Sequence, residues 1–148
     1  MKKVFTLSIV FLIGLLSGYC FIVFAGYTAS WTHNLIVITA NILKEYQLSY
    51  MLEIVDGVTN FILLIFTAIP VFFISGLLLA YYFKHNIRTA KWDSSLGLLI
   101  LPFLFAGFPA LYHFRLFDAF SVLAVPLFMN LLFINKISSI INAPNKNE

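Results

Sequence analysis

Charge is what this sequence lacks. Only 10% of its 148 residues are Asp, Glu, Lys or Arg, against about 25% in a soluble domain. Hydrophobic residues make up 61% of the chain. A small soluble fold buries only about 60–70% of the surface its unfolded chain exposes, so water would meet far too much apolar area. A lipid surrounding removes that conflict. The sparse basic residues, net +3, also argue against nucleic-acid binding, and membrane topology explains their placement better.

Cysteine is nearly absent. Cys20 stands alone, which excludes an internal disulfide and a thiolate zinc site. It lies in an apolar run, where a thiol packs as a small hydrophobe. Leu16-Ser17-Gly18 precedes it, but Tyr19 occupies the place where lipid attachment needs a small residue. Clustered chemistry is missing too. His33, His85 and His113 are scattered, and no Ser-His-Asp set, acidic pair or glycine-rich phosphate loop is visible. No haem ligand lies inside a span. The sequence therefore reads as non-enzymatic, with no cofactor and no metal.

What is abundant is long apolar runs. Four are long enough to cross about 30 Å of hydrocarbon, which takes about 20 helical residues. Their predicted limits are 4–28, 57–83, 93–113 and 116–135. The first follows a short basic start at Lys2 and Lys3. It exceeds the apolar core of a cleavable signal peptide, about 7–15 residues, and is read as a retained span. Between the first two spans, Trp31, Leu35, Ile38 and Ile42 recur at helical spacing, with Ser30 as a possible cap. This predicts a short amphipathic interfacial helix over 31–45. The expected fold is thus an all-α membrane protein, one four-span domain over residues 1–148. Short connections make spans two to four an antiparallel set, and 137–148 is a loose polar cytoplasmic tail.

Threading follows from the basic residues. Four spans place both termini on one side. That side carries Lys2, Lys3, Lys84, Arg88, Lys91, Lys136 and Lys146, seven of the nine. Lys44 and Arg115 remain on the other. Excess Lys and Arg mark the cytoplasmic side, so both termini are expected there, in a plasma (inner) membrane. The island Lys84–Asp93 becomes a cytoplasmic anchor, with Asp93, Ser94 and Ser95 as the N-cap of the third span.

Two kinds of residue stand out inside the spans. Gly14, Ser17 and Gly18 form a small-residue stripe that lets a second helix approach, and Asn130 is the deepest strongly polar side chain. These are the helix-contact candidates. Pro70, Pro102 and Pro126 lie near mid-span and predict kinks, with Thr67 placed to satisfy a freed carbonyl at Pro70. Every strongly charged residue sits at or beyond a predicted span end, and Arg115 is positioned to pair with Asp118.

The function expected from these features is contact within the membrane. The chain would be an accessory, assembly or immunity-type partner of a larger membrane protein, or would associate with itself. The layout, four spans with a long first external loop, resembles that of some small membrane immunity proteins. A small oligomeric carrier or channel lined by the kinked spans is the alternative.

Overall fold

The computed structural model describes residues 2–46, 51–83 and 86–141. Its elements are α1 (Lys2–Glu45), α2 (Leu52–Tyr82), α3 (Ile87–Pro102), a π-helical segment (Phe103–Gly107), α4 (Phe108–Tyr112) and α5 (Leu116–Ile141). There is no strand among the described residues. Four stretches are long and apolar enough to cross a membrane: Thr6–Ser30, Ile54–Tyr82, Ile87–Tyr112 and Leu116–Ile141.

The radial distribution of side chains says what surrounds the bundle. Phe66, Phe105, Phe120 and Phe128 lie on the outside, each more than half exposed. Ser17, Thr67, Ser75, Ser94, Ser95, Ser121 and Asn130 are buried inside. Water would drive the reverse arrangement, so this is the pattern of a multi-pass membrane protein.

Four helical columns form a ring. α1 packs on α3 and on α2, while α5 packs on α2 and on α3. Two apolar clusters fill the interior. One joins Phe21, Ala68, Phe72, Leu98 and Val125, with the Phe21 and Phe72 rings 5.7 Å apart. The other joins Val10, Leu79, Ala90 and Ile134. α2 and α3 touch little although only residues 83–86 separate them. The antiparallel alternation expected of spans two to four holds, but α2 and α3 lie across a diagonal, and the closest partner of α1 is the parallel helix α3.

Several element limits differ from the sequence reading, each for a physical reason. The segment 31–45 is helical, but it continues α1 without a break, so Ser30 caps nothing. No proline or glycine lies between Gly26 and Gly57, so nothing ends the helix where hydrophobicity falls. The side chains of Trp31 and Leu35 lie outside the described residues. α2 begins earlier than expected, at Leu52. The third span begins at Ile87, with Asn86 as N-cap, so Asp93 is inside a helix and Ser94 and Ser95 are not caps. The Ser94 and Ser95 hydroxyls instead donate to the Lys91 carbonyl at 3.1 and 2.7 Å. Lys91 and Asp93 therefore lie within a candidate span rather than beyond its end. Lys84 and His85 of the island lie outside the described residues. The fourth span runs on to Ile141, because Ile134 and Ile137 keep its buried stripe going while Lys136 points outward. Residues 137–141 are thus helix, and the rest of the expected tail, 142–148, is outside the described residues.

The turn into α5 is tight. Phe114 has φ of 58°, the left-handed conformation. Its N–H bonds Leu111 O at 3.0 Å and the Arg115 N–H bonds Ala110 O at 2.8 Å, the paired bonds of a Schellman cap. Glycine normally fills this position because a Cβ there costs about 1–2 kcal/mol. Phe114→Gly is expected to raise stability by about 1 kcal/mol, read as a higher thermal midpoint in detergent. An unchanged or lower midpoint would show that the Phe114 ring makes a compensating contact.

Candidate functional site

The tightest feature of the bundle is the seam between α1 and α3. A Cβ added to Gly14 would overlap the Ser94 carbonyl, and one added to Gly97 would overlap the Phe11 carbonyl. A Cβ at Gly18 would stand 2.5 Å from the Leu98 carbonyl and 3.3 Å from the Pro102 ring. Three glycines thus let two parallel backbones touch. Such contact replaces side-chain burial as the source of helix association in lipid. Leu98 gives the seam a further meaning. Its carbonyl is four residues before Pro102, so the proline leaves it without its helical N–H partner. It faces the bare Gly18 backbone, where a side chain would crowd it.

Pro102 has a second effect. The π-helical turn follows it directly, and the Phe108 N–H reaches back to Phe103 O across that wider turn. Pro109 sits at the start of α4 and closes the irregular stretch. The sequence signal was present: two prolines seven residues apart within one span, with Gly107 between them. The other two kink candidates differ. Pro126 is buried in α5, while Pro70 is exposed on an α2 that runs through it unbroken. Thr67 does not reach the carbonyl four residues before Pro70. Its hydroxyl donates to Leu63 O and Leu64 O, both at 3.0 Å.

Asn130 on α5 is 1% exposed and reaches α3. Its Nδ2 donates to Ser95 Oγ at 3.1 Å and to Ser94 Oγ at 3.3 Å. Ser94 is therefore shared: its carbonyl abuts Gly14 and its hydroxyl accepts from Asn130, so α1, α3 and α5 meet at one fully buried residue. Of the helix-contact candidates, the structure brings Gly14, Gly18 and Asn130 to this junction. Ser17 is buried close by, but its hydroxyl bonds its own helix at Ile13 O, 2.8 Å away. Gly97, Ser94 and Ser95 belong to the same site; sequence reasoning left Gly97 unmarked and took Ser94 and Ser95 for caps.

The chain matches no family model, no curated protein and no solved structure. What the site does has to come from its own geometry.

That geometry has two ends. At the α4–α5 turn, Arg115 pairs with Asp118 at 2.6 Å and with Asp56 of α2 at 3.2 Å. Asp56 also accepts from Asn60 at 3.3 Å. The Arg115 side chain is 55% exposed, so each pair contributes about 1 kcal/mol or less and mainly sets the level of α2 against the turn. Beyond that level the first two helices continue. The Gly14–Ser94 and Gly18–Leu98 contacts place the α4 end, Tyr112, beside about residue 32 of α1. Residues 33–45 therefore project about 20 Å further. They pack through Ile36, Ala40 and Leu43 toward Leu52 and Val55 of α2. Their outer face leaves Ile38 56% and Ile42 49% exposed; Tyr46 just after them is 71% exposed, and Met51 and Ile54 around the start of α2 are exposed too. The projection lies past Ser30, where the first candidate span ends by length and composition, and faces Val55, Asp56 and Thr59 at the start of the second, Ile54–Tyr82.

Proposed function

We propose that this protein is an accessory or assembly partner, of the immunity type among others, of a larger membrane protein in a plasma (inner) membrane. The observation that carries this reading is the projecting α1–α2 hairpin. An apolar face that continues past the first candidate span meets water or headgroups unless something covers it, and contiguous exposed apolar patches mark interaction sites. The occupant that fits is an apolar, near-neutral helix face of a larger membrane protein. The exposed face offers Ile38, Ile42 and Asn41, with Lys44 and Glu45 cancelling in charge. The basic residues support both termini being cytoplasmic, which puts the hairpin outside. The alternative, a carrier or channel, is disfavoured by the glycine seam, where the helices close on one another without side chains between them.

One experiment tests position and coverage together. Asn41→Cys in a Cys20→Ala chain is expected to react with an impermeant maleimide added outside cells that overproduce this chain beyond its partner, and to be shielded in the complex when the partner is co-extracted in mild detergent. Mass determination of that extract is expected to give a complex with one further protein in fixed ratio. Ile38→Lys with Ile42→Lys is expected to weaken that complex at least tenfold without lowering the melting temperature, in line with a buried pair of apolar anchors. A complex containing only this chain, a lone monomer, or labelling from the inside alone would overturn the proposal.

A further inference from the structure

The end of the bundle opposite the projecting hairpin holds a cavity of about 320 Å³. Three elements build it. α1 gives Thr6, Leu7 and Val10, the end of α2 gives Phe83, and the start of α3 gives Thr89, Ala90 and Asp93, with Asn86 at its cap. Asp93 is the unusual member. It sits in the second turn of a span, and its Oδ2 is buried yet takes no hydrogen bond from any described residue. A buried carboxylate oxygen without a donor costs more than any neutral group in its place, so its presence calls for a reason. Apolar walls alone would make the cavity a void or a lipid-tail slot. A single carboxylate with hydroxyl and amide groups beside it makes it selective for charge.

We propose that this cavity binds a small organic ammonium ion. The ammonium group would pair with the Asp93 carboxylate, which lines the cavity and has no ion-pair partner among the described residues. The hydroxyl of Thr89 and the amide oxygen of Asn86 offer further acceptors at the rim, where both residues are exposed. Leu7, Val10 and Ala90 would take the hydrocarbon part, and the Phe83 ring supplies a face for the cation. The volume is at the lower end of the range for small-molecule pockets, about 300–1,000 Å³, and far more than a bare metal ion fills. The cavity opens toward Asn86 and Thr89, so a ligand enters from the aqueous or headgroup side of that end. The site is independent of the partner surface, which lies at the other end of α1.

Phenethylammonium is a suitable probe, and its neutral analogue 2-phenylethanol matches it in size. Titration of the purified full chain in lipid nanodiscs, followed calorimetrically, is expected to show saturable binding of the amine. Binding of the alcohol is expected to be at least tenfold weaker. Asp93→Asn is expected to reduce amine binding at least tenfold and to leave the alcohol unchanged. Equal binding of amine and alcohol, or amine binding unaffected by Asp93→Asn, would overturn the site, as would the absence of saturable amine binding. If Asp93→Asn does not fold, the amine-to-alcohol ratio on the unaltered chain decides alone.

Discussion

Gly14→Ala and Gly97→Ala should each lower the stability of the bundle by about 2–3 kcal/mol, and Gly14→Leu should prevent its assembly. The added methyl group meets a backbone carbonyl in both cases, Ser94 for Gly14 and Phe11 for Gly97. A backbone oxygen held in a helix cannot swing aside as a flexible side chain does, so the two helices must separate. Gly26 provides the internal control. It lies on the same helix, and an added Cβ there meets nothing within 4 Å. Gly26→Ala should therefore be neutral or stabilising by up to about 1 kcal/mol, the intrinsic helix preference of Ala over Gly. The pair Gly14→Ala with Gly97→Ala should cost less than the sum, because either substitution alone already opens the seam. Loss of helicity or of folded fraction against denaturing detergent measures all five. Equal effects of Gly14→Ala and Gly26→Ala would show that the seam does not hold the fold.

The second large effect is expected at Asn130. Asn130→Leu removes the two bonds to Ser94 and Ser95. Those hydroxyls keep their own bonds to Lys91 O, so the substitution leaves no orphaned donor and should cost about 1–2 kcal/mol. Asn130→Asp keeps the shape but offers only acceptors when ionised. Both hydroxyls already spend their protons on Lys91 O, so neither can answer without breaking that bond. The cost should reach about 3 kcal/mol, the order found for an acidic group deep in a span. The near-isosteric change should therefore do more damage than the apolar one. The reverse order in the same denaturation assay would mean that water enters the junction.

Legibility varied along the chain for reasons that can be named. The four apolar runs were plain, since a span needs only length and the absence of charge. The extension of α1 was hidden because falling hydrophobicity around Ser30 looks like an ending. Helices end at breakers, and none is present there. Gly14 and Gly18 could be read as a contact face, but not their counterpart. On α3 the receiving surface is built from Ser94, Gly97 and Leu98, whose role depends on which helix stands opposite. Ser94 and Ser95 looked like capping residues because Asp93 precedes them, and only tertiary structure shows that the helix has already run for two turns. Asp93 itself was placed in the N-cap of the span for the same reason.

The ring order carries a consequence for how the chain is made. Spans leave the insertion machinery in sequence, yet the closest partner of the first is the third. The glycine face of α1 must wait in lipid while α2 and the turn after it are synthesised, and α2 must leave room for a helix that arrives later beside α1. The protein thus has a vulnerable interval during biogenesis, when its most adhesive surface is complete and its intended mate is not.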